Sequence, residues 1–254
     1  AYLYATSDLG KIWQREKDIH PDDIIYVVDA RQGLHFTQVF RASKKSGIYD
    51  GNLEFCGYGT VNGKDNKPFK TRSGDAYKLD DLINDVKNEF ISLRDDNKDK
   101  KESDIAKIVN SILKFADLQN DLTRNYIFDI KKFSEVNGKT GPYILYTYLR
   151  INKLLENVHG DLSDRIYNDI DRRLRLKLLD VSSVIDMSAR ERKPHYIANY
   201  VYELCVIVNS FYEMNKLSLM DNEMKKDVII VLNFTNSVIK TLLELLGIFI
   251  PEEM

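Results

Sequence analysis

The sequence predicts a protein of two parts, an α/β segment followed by an all-α bundle of helices. Up to about residue 90, apolar strands alternate with helical stretches across polar turns, which is typical of a sheet covered by helices. Beyond residue 101, apolar residues recur at helical spacing and no strand pattern interrupts them. A charged run at 94–102 separates the two patterns and predicts a solvated linker. We therefore predict an α/β domain over 1–100 and a helical domain over 101–254.

The α/β part is predicted to begin with a strand and a helix. Leu3-Tyr4-Ala5 indicates the strand, and Thr6-Ser7-Asp8 offers capping side chains for a helix that ends near Asp18. The sequence starts on Tyr2-Leu3-Tyr4, without a lead-in to that strand. We therefore expect a chain that was cut inside the α/β domain.

A second strand is predicted at Ile24–Val28. This run is apolar, largely β-branched and uninterrupted, which is typical of a parallel strand buried on both faces. A helix at Leu34–Lys45 follows and is ended by Gly47. The segment 57–74 is rich in Gly, Lys and polar residues and predicts a mobile loop. In such a layer, ligands lie at the carboxyl ends of the strands.

Stripes of apolar residues at helical spacing predict several amphipathic helices in the second part. A stripe of this kind covers Ile105–Leu113. The others cover 143–155, 162–179, 195–212 and 224–246. Several long helices without strands indicate a bundle.

Composition narrows the class of protein but leaves its partners open. The 254 residues are 43% hydrophobic and 30% charged, with a net charge of −2. That charge predicts no global attraction to nucleic acid, so any RNA contact would depend on a local basic surface. Cys56 and Cys205 stand far apart, and the four histidines show no metal-ligand spacing. We expect no protein-bound metal and no disulfide.

Leu242–Ile250 is the longest apolar stretch, and it is too short to cross a bilayer. We therefore expect a cytoplasmic protein without a membrane partner.

Several motifs occur in a fixed order along the chain. They are Leu3–Leu9 (LYATSDL), Ile25–Phe36 (IYVVDARQGLHF), Gly59–Gly74 (GTVNGKDNKPFKTRSG), Lys114–Leu118 (KFADL), Asn125–Asp129 (NYIFD) and Gly141–Tyr143 (GPY). Together they resemble arginyl-tRNA synthetase, and the resemblance covers essentially the whole chain. It implies a partial Rossmann-type class I catalytic domain followed by a helical anticodon-binding domain.

The resemblance also implies an activity and its substrates, and it shows that one signature of the family is absent from this sequence. The family attaches L-arginine to arginine tRNA with ATP as substrate and Mg²⁺ beside the ATP. Its HIGH-type signature, which handles the ATP phosphates, has no match here, since no H-x-G-H pattern occurs in the sequence. We therefore expect this chain alone to be catalytically inactive. We also expect the intact enzyme to be a monomer.

Three residues are candidates for holding L-arginine: Tyr4, Asp8 and Gln32. A carboxylate accepts a guanidinium in bidentate fashion, and a tyrosine packs on its plane or donates a hydrogen bond. The resemblance assigns the matching Tyr, Asp and Gln to the substrate. From the residues alone, Asp8 as a helix cap and Tyr4 as a core residue would be the better explanation. The turn after the second strand adds supporting candidates, Asp29, Arg31 and His35.

The glycine- and lysine-rich loop lies where class I synthetases carry their KMSKS-type signature. Here Phe69-Lys70-Thr71-Arg72 replaces that signature. Lys67, Lys70 and Arg72 are the catalytic candidates, because cations on a closing loop can stabilise charge that develops on pyrophosphate. The resemblance also places adenine against the strand Tyr58–Val61, with Tyr58, Gly59 and Val61 as ATP-binding residues. Without the resemblance, a solvated basic loop is the simpler explanation.

The candidates for tRNA binding are Tyr146, Arg150, Tyr212 and Met254. Tyr146 and Arg150 are four residues apart, on one face of a predicted helix. Exposed tyrosines stack on unpaired bases, and arginine binds phosphates or base edges. The resemblance places the matching residues at the anticodon, although Glu253 stands where the family usually has arginine. Tyrosines at helical spacing are otherwise more often core residues.

Basic residues elsewhere in the helical part are further candidates for phosphate contacts. They are Lys131, Lys132, Lys139, Arg172, Arg173 and Arg175. Two other classes of protein stay open from the sequence. One is a free-standing, non-catalytic tRNA- or RNA-binding paralogue of the synthetase's C-terminal half, and the other is a helical interaction domain.

Overall fold

The structure is a computed structural model that describes residues 3–64, 67, 78–93, 95–155, 163–215 and 219–254. The chain divides into two compact units. Unit 1 comprises residues 1–62 and 122–126, and unit 2 comprises 63–121 and 127–254. The domain boundary placed at residue 100 from the sequence stays a prediction.

Unit 1 combines helices with short parallel strands. Its elements are α1 (Tyr4–Ile19), β1 (Asp23–Asp29), a 3-10 turn (Ala30–Gln32), α2 (Gly33–Lys45), β2 (Asn52–Tyr58) and β3 (Val61–Asn62). Strands β1 and β2 are parallel, with Asp23 opposite Asn52 at one end and Asp29 opposite Tyr58 at the other. The predicted strand at Ile24–Val28 and the predicted helix after it are therefore confirmed.

The segment predicted as the first strand is helical where the structure describes it. Helix α1 begins at Tyr4, and Leu3 is its N-cap. The prediction of a strand at residues 3–5 was wrong because Ala5, Leu9 and Ile12 recur at helical spacing and pack on one apolar cluster. Thr6-Ser7-Asp8 lie inside the helix, so they do not act as its cap.

Strand β1 is buried on one face only. Ile24 and Tyr26 point into the cluster with α1 and α2, whereas Ile25 is 40% exposed and Val27 is 60% exposed. The expectation of burial on both faces was therefore wrong for the described residues, because α1 and α2 cover the same side of the sheet. The opposite side presents β-branched side chains to solvent.

The predicted strand Tyr58–Val61 is interrupted in its middle. Strand β2 ends at Tyr58 and β3 begins at Val61, so Gly59 and Thr60 belong to neither. The chain leaves β1 here because Gly59 and Thr60 bond to residues 122–126 instead. Strand β3 pairs with the short strand β4, Tyr126–Ile127.

Unit 2 is built almost entirely from helices. They are α3 (Leu79–Ser92), α4 (Glu102–Leu118), α5 (Ile130–Ser134), α6 (Gly141–Asn152), α7 (Asp169–Leu179), α8 (Val181–Glu191), α9 (His195–Met214) and α10 (Asn222–Leu245). The predicted bundle is confirmed. The helix predicted over 162–179 begins only at Asp169, where Asn168 caps it, and residue 162 lies outside the described residues. Helix α8 was not predicted, and Ser188 is its one buried residue.

Helix α10 forms part of the core of the bundle. By length and composition alone it could cross a membrane, but 56% of its apolar window is buried inside unit 2. Val228, Leu232 and Ile239 are almost fully buried. Burial of this extent is typical of a helix in the core of a bundle.

The charged run between the two predicted domains is partly packed. Asp95–Asp99 forms a 3-10 turn. Asn97 is only 4% exposed and donates a hydrogen bond from Nδ2 to the Phe90 carbonyl oxygen at 2.8 Å. The expectation of a solvated linker was therefore wrong at Asn97, because its amide caps the end of α3 rather than facing water.

Candidate functional site

The carboxyl ends of β1 and β2 form a polar edge in unit 1. Asp29 ends β1 opposite Tyr58, which ends β2. Asp29 accepts hydrogen bonds from Arg31 Nε at 2.8 Å and Nη2 at 2.6 Å. These bonds lower the pKa of the Asp29 carboxyl to about 2. The carboxylate of Asp29 is therefore engaged by its own neighbour.

Asp8 and His35 come together from helices that are distant in sequence. Asp8 Oδ2 lies 2.8 Å from His35 Nε2, with Asp8 on α1 and His35 in the first turn of α2. Tyr4 lies one turn before Asp8 and is 89% exposed. Both residues were expected to flank a strand-to-helix turn. They instead share a helix, because the strand is absent.

Gln32 lies immediately before α2, three residues ahead of His35, and is exposed. The Asp8 carboxylate keeps further oxygen lone pairs beyond its bond to His35, and these can accept a guanidinium. Tyr4, Asp8 and Gln32 as an arginine-binding set stay a prediction.

The segment predicted to bind adenine is held by residues 122–126. The amide of Gly59 donates to the Leu122 carbonyl oxygen at 2.9 Å. The amide of Thr60 donates to Asn125 Oδ1 at 2.7 Å, and the Thr60 carbonyl oxygen accepts from the Tyr126 amide. A Cβ on Gly59 would lie 2.5 Å from the Arg124 carbonyl group. Glycine is therefore required here by close backbone approach.

The beginning of the lysine-rich loop is held by contacts within unit 2. Lys64 Nζ lies 3.1 Å from Asp129 Oδ1. Burial works to raise the pKa of Asp129, but hydrogen bonds from Lys64 and the Lys132 amide bring it below its ordinary value. Lys67 is exposed, and its carbonyl oxygen accepts from the Gly63 amide. Lys70 and Arg72 lie outside the described residues.

Two of the four predicted tRNA-binding residues line one cavity in unit 2. Tyr146 on α6 and Met254 border a space of about 210 Å³. Phe90 and Leu93 give it apolar walls. Tyr146 is 45% exposed, so its ring is available to a ligand rather than confined to the core.

The other two residues, Arg150 and Tyr212, form a cation–π pair. The Arg150 guanidinium carbon lies 4.6 Å from the centre of the Tyr212 ring. Arg150 is one helical turn after Tyr146 on α6, and Tyr212 lies near the end of α9. A guanidinium over an aromatic ring forms a cation–π contact, and its N–H groups can still bond to a phosphate or a base edge.

The cavity has polar walls that were not predicted from the sequence. They are Asp96, Asn97, Glu135 and Asn137. Asp96 and Asn97 lie in the charged run that was predicted to be a linker, and Glu135 and Asn137 follow α5. A run of polar residues gives no sign of which members face a cavity, so nothing in the sequence identified them. Their oxygens can accept hydrogen bonds from the amino group of a base.

Some basic residues proposed for phosphate contact are engaged elsewhere. Arg175 Nε donates to Asp171 at 2.8 Å, and Asp171 is almost fully buried. Lys139 bonds to Asn199, and burial lowers the pKa of its ammonium group. Arg175 and Lys139 therefore serve packing within unit 2. Arg172 and Arg173 are exposed.

Cys56 and Cys205 are both buried, and burial raises the pKa of the Cys205 thiol. Among the described residues, no group of three or more His, Cys, Asp or Glu side chains is placed to hold a metal ion.

Two family models match the chain in sequence order. One, described as the catalytic domain of class I (R) tRNA synthetases, matches residues 1–130. The other, described as the DALR anticodon binding domain, matches residues 144–254. This order agrees with the predicted α/β part followed by a helical part.

Curated relatives match over nearly the whole chain. An arginine–tRNA ligase of Alkaliphilus oremlandii is 42% identical over 265 residues, covering 99% of this chain and 45% of the relative. One from Francisella tularensis is 37% identical, with the same coverage of both chains. The chain thus spans about half the length of the curated relatives it matches.

Solved structures show the same fold. The arginyl-tRNA synthetase of Plasmodium falciparum superposes with a TM-score of 0.81 at 24% identity, covering 100% of this chain and 45% of that one. The Thermus thermophilus enzyme gives a TM-score of 0.76 at 20% identity, with coverage of 92% and 41%.

Proposed function

Because the chain belongs to the arginyl-tRNA synthetase family of class I tRNA synthetases, we propose that it is the C-terminal part of an arginine–tRNA ligase. We further propose that its own activity is to bind the anticodon loop of arginine tRNA. The observation that carries this is the arrangement on unit 2, where Tyr146 and Met254 line one cavity and the Arg150 guanidinium lies over the Tyr212 ring. A splayed-out base is recognised by such an aromatic surface together with hydrogen-bonding groups.

The cavity supports recognition of one unpaired base. Its apolar walls and the Tyr146 ring suit the faces of a base, and Asp96 and Glu135 supply acceptors for an exocyclic amino group. The Arg150–Tyr212 pair, anchored one turn further along α6, suits the neighbouring base or phosphate. RNA binding here requires no net positive charge on the chain, since recognition is local.

In the whole ligase, the part of the chain before residue 100 contributes to the first chemical step. The carboxylate oxygen of arginine attacks the α-phosphorus of ATP, and the bond to pyrophosphate breaks. Tyr4, Asp8 and Gln32 hold the arginine, and Tyr58, Gly59 and Val61 lie against the adenine. Lys67, Lys70 and Arg72 stabilise the charge that develops on pyrophosphate, and Mg²⁺ accompanies the ATP as part of the substrate.

The proposal extends to organisation and location. The catalytic part ends near residue 100, and residues 101–254 form the anticodon-binding domain. The whole ligase is a cytoplasmic monomer that uses L-arginine, ATP and arginine tRNA and has no membrane partner. Apart from the magnesium that enters with ATP, it holds no metal.

Selective binding of RNA tests the proposed function. The chain should bind a fluorescent anticodon stem–loop with an arginine anticodon at least tenfold more tightly than one with a lysine anticodon, since a wrongly matched polar group in a buried site costs roughly 1–3 kcal/mol. Fluorescence anisotropy at fixed salt measures both affinities. Equal affinity for the two RNAs would contradict the proposal.

A pair of arginine variants provides the matched control for this measurement. Arg150→Ala removes the cation above Tyr212 and should weaken binding of the arginine stem–loop. Arg190→Ala removes the same charge from an exposed position on α8 and should leave the affinity unchanged. If the two variants lose affinity equally, the binding is general electrostatic attraction.

The chain alone should not activate arginine. The HIGH-type signature of this family, which handles the ATP phosphates, has no match in the sequence, so we expect the phosphates not to be oriented for attack. Arginine-dependent exchange of labelled pyrophosphate into ATP should stay at the level of a blank without protein. Exchange that is saturable in arginine would show a more complete active site than we propose.

A further inference from the structure

The segment that follows α10 is fastened along α4 by a series of polar contacts. Gly247 has a φ of +64° and turns the chain out of α10. Its carbonyl oxygen accepts from Lys114 Nζ, which also lies over the Phe249 ring at 5.5 Å. Further along, Lys101 Nζ pairs with Glu252 Oε2 at 2.5 Å. These contacts lead the chain along α4 to Met254.

Asp104 makes the most buried of these contacts. It lies in the first turn of α4 and is 0% exposed. Its Oδ1 accepts a hydrogen bond from the backbone amide of Glu252 at 2.9 Å. Its Oδ2 has no hydrogen-bond partner among the described residues. Lys107 Nζ, at 3.7 Å from Oδ1, supplies a nearby positive charge.

Burial of this carboxylate is costly, so a purely packing role would favour an apolar side chain. A negative charge in the first helical turn does interact favourably with the helix dipole. That interaction is available to an exposed carboxylate as well, and Glu102 already provides one. What the buried position adds is a fixed acceptor for one amide, two residues before Met254.

We propose that Asp104 is a positioning residue for RNA recognition, because its bond to the Glu252 amide fixes where Met254 meets the cavity it shares with Tyr146. This inference rests on the proposed binding of an anticodon loop. Asp104 does not touch the RNA. It acts through the backbone of the final segment, so its effect on affinity should depend on Met254.

Two substitutions at one exposed position separate the backbone bond from the ion pair. Both Glu252→Ala and Glu252→Pro remove the carboxylate that pairs with Lys101. Only Glu252→Pro also removes the amide hydrogen that Asp104 accepts. Fluorescence anisotropy with the arginine stem–loop should show an unchanged affinity for Glu252→Ala and a loss of about tenfold for Glu252→Pro. Equal affinities of the two variants would overturn the proposal.

Combination with Met254→Ala tests whether the effect passes through Met254. The double variant Glu252→Pro/Met254→Ala should bind no more weakly than Met254→Ala alone. If the losses of affinity caused by the two substitutions multiply in the double variant, the proposal is overturned. Asp104→Ala should match Glu252→Pro, and Asp104→Asn, which keeps Oδ1 as an acceptor, should restore most of the affinity. Far-UV circular dichroism checks that each variant retains its helices.

The outcomes distinguish this inference from the proposed function. If the unmodified chain fails to distinguish arginine from lysine stem–loops, the proposed function fails and this role of Asp104 fails with it. If the unmodified chain discriminates but Glu252→Pro binds as well as Glu252→Ala, only the positioning role is overturned.

Discussion

Tyr146→Ala should weaken binding of the arginine stem–loop by roughly 5- to 150-fold, since stacking of one base on an aromatic ring contributes about 1–3 kcal/mol. Tyr146 is half-exposed and borders the cavity, so its removal takes a surface away from the RNA rather than a side chain from the core. The measurement is a titration by fluorescence anisotropy at constant salt.

Two variants control for loss of an aromatic side chain as such. Tyr146→Phe keeps the ring and should retain most of the affinity. Phe234→Ala removes a ring of similar exposure, 43%, from α10 and should bind RNA as the unmodified chain does. If Tyr146→Ala binds normally while retaining its fold, the cavity is not where the base docks.

Gly141→Ala should destabilise unit 2 by about 3 kcal/mol, because a new side chain has no room there. Gly141 is the first residue of α6 and is buried against α4. A Cβ at this position would lie 2.3 Å from the Ser111 carbonyl oxygen. The two helices would have to separate, and α6 carries both Tyr146 and Arg150. Urea unfolding followed by circular dichroism measures the change.

Gly10 provides the matched control for this substitution. It lies inside α1, and a Cβ built there meets nothing within 4 Å. Gly10→Ala should therefore be neutral or stabilise its helix by about 0.5–1 kcal/mol, as alanine does at an open helical position. An equal loss of stability in the two variants would show that close packing of α4 on α6 is not the cause.

Periodicity predicted the elements that bury an apolar stripe. Ile105–Leu113 became part of α4 and Ile24–Val28 became β1, because burial of those side chains decides their local structure. The same logic failed at Tyr4, where a short apolar run fits either a strand or a helix. The segment is helical because Ile12, further along α1, packs into the apolar cluster of unit 1. That contact could not be read from residues 3–5 alone.

The candidate sites were predictable as residue types, but their contacts were not. Asp8 and His35 are 27 positions apart. Asp96 and Tyr146 line the same cavity although they lie far apart along the chain. Lys64 and Asp129 likewise meet because β3 pairs with β4 and each residue lies two positions after one of these strands. Motifs name candidates, whereas the tertiary arrangement decides which of them share a cavity, a stack or an ion pair.

The uncovered side of β1, with Ile25 and Val27, bears on how the chain would fare in a living cell. Apolar, β-branched side chains on an open sheet are what chaperones bind and proteases follow in incompletely folded proteins. A polypeptide that displays them has either to be shielded soon after synthesis or to be degraded. When the chain is expressed on its own, we therefore expect part of it to aggregate or to be degraded.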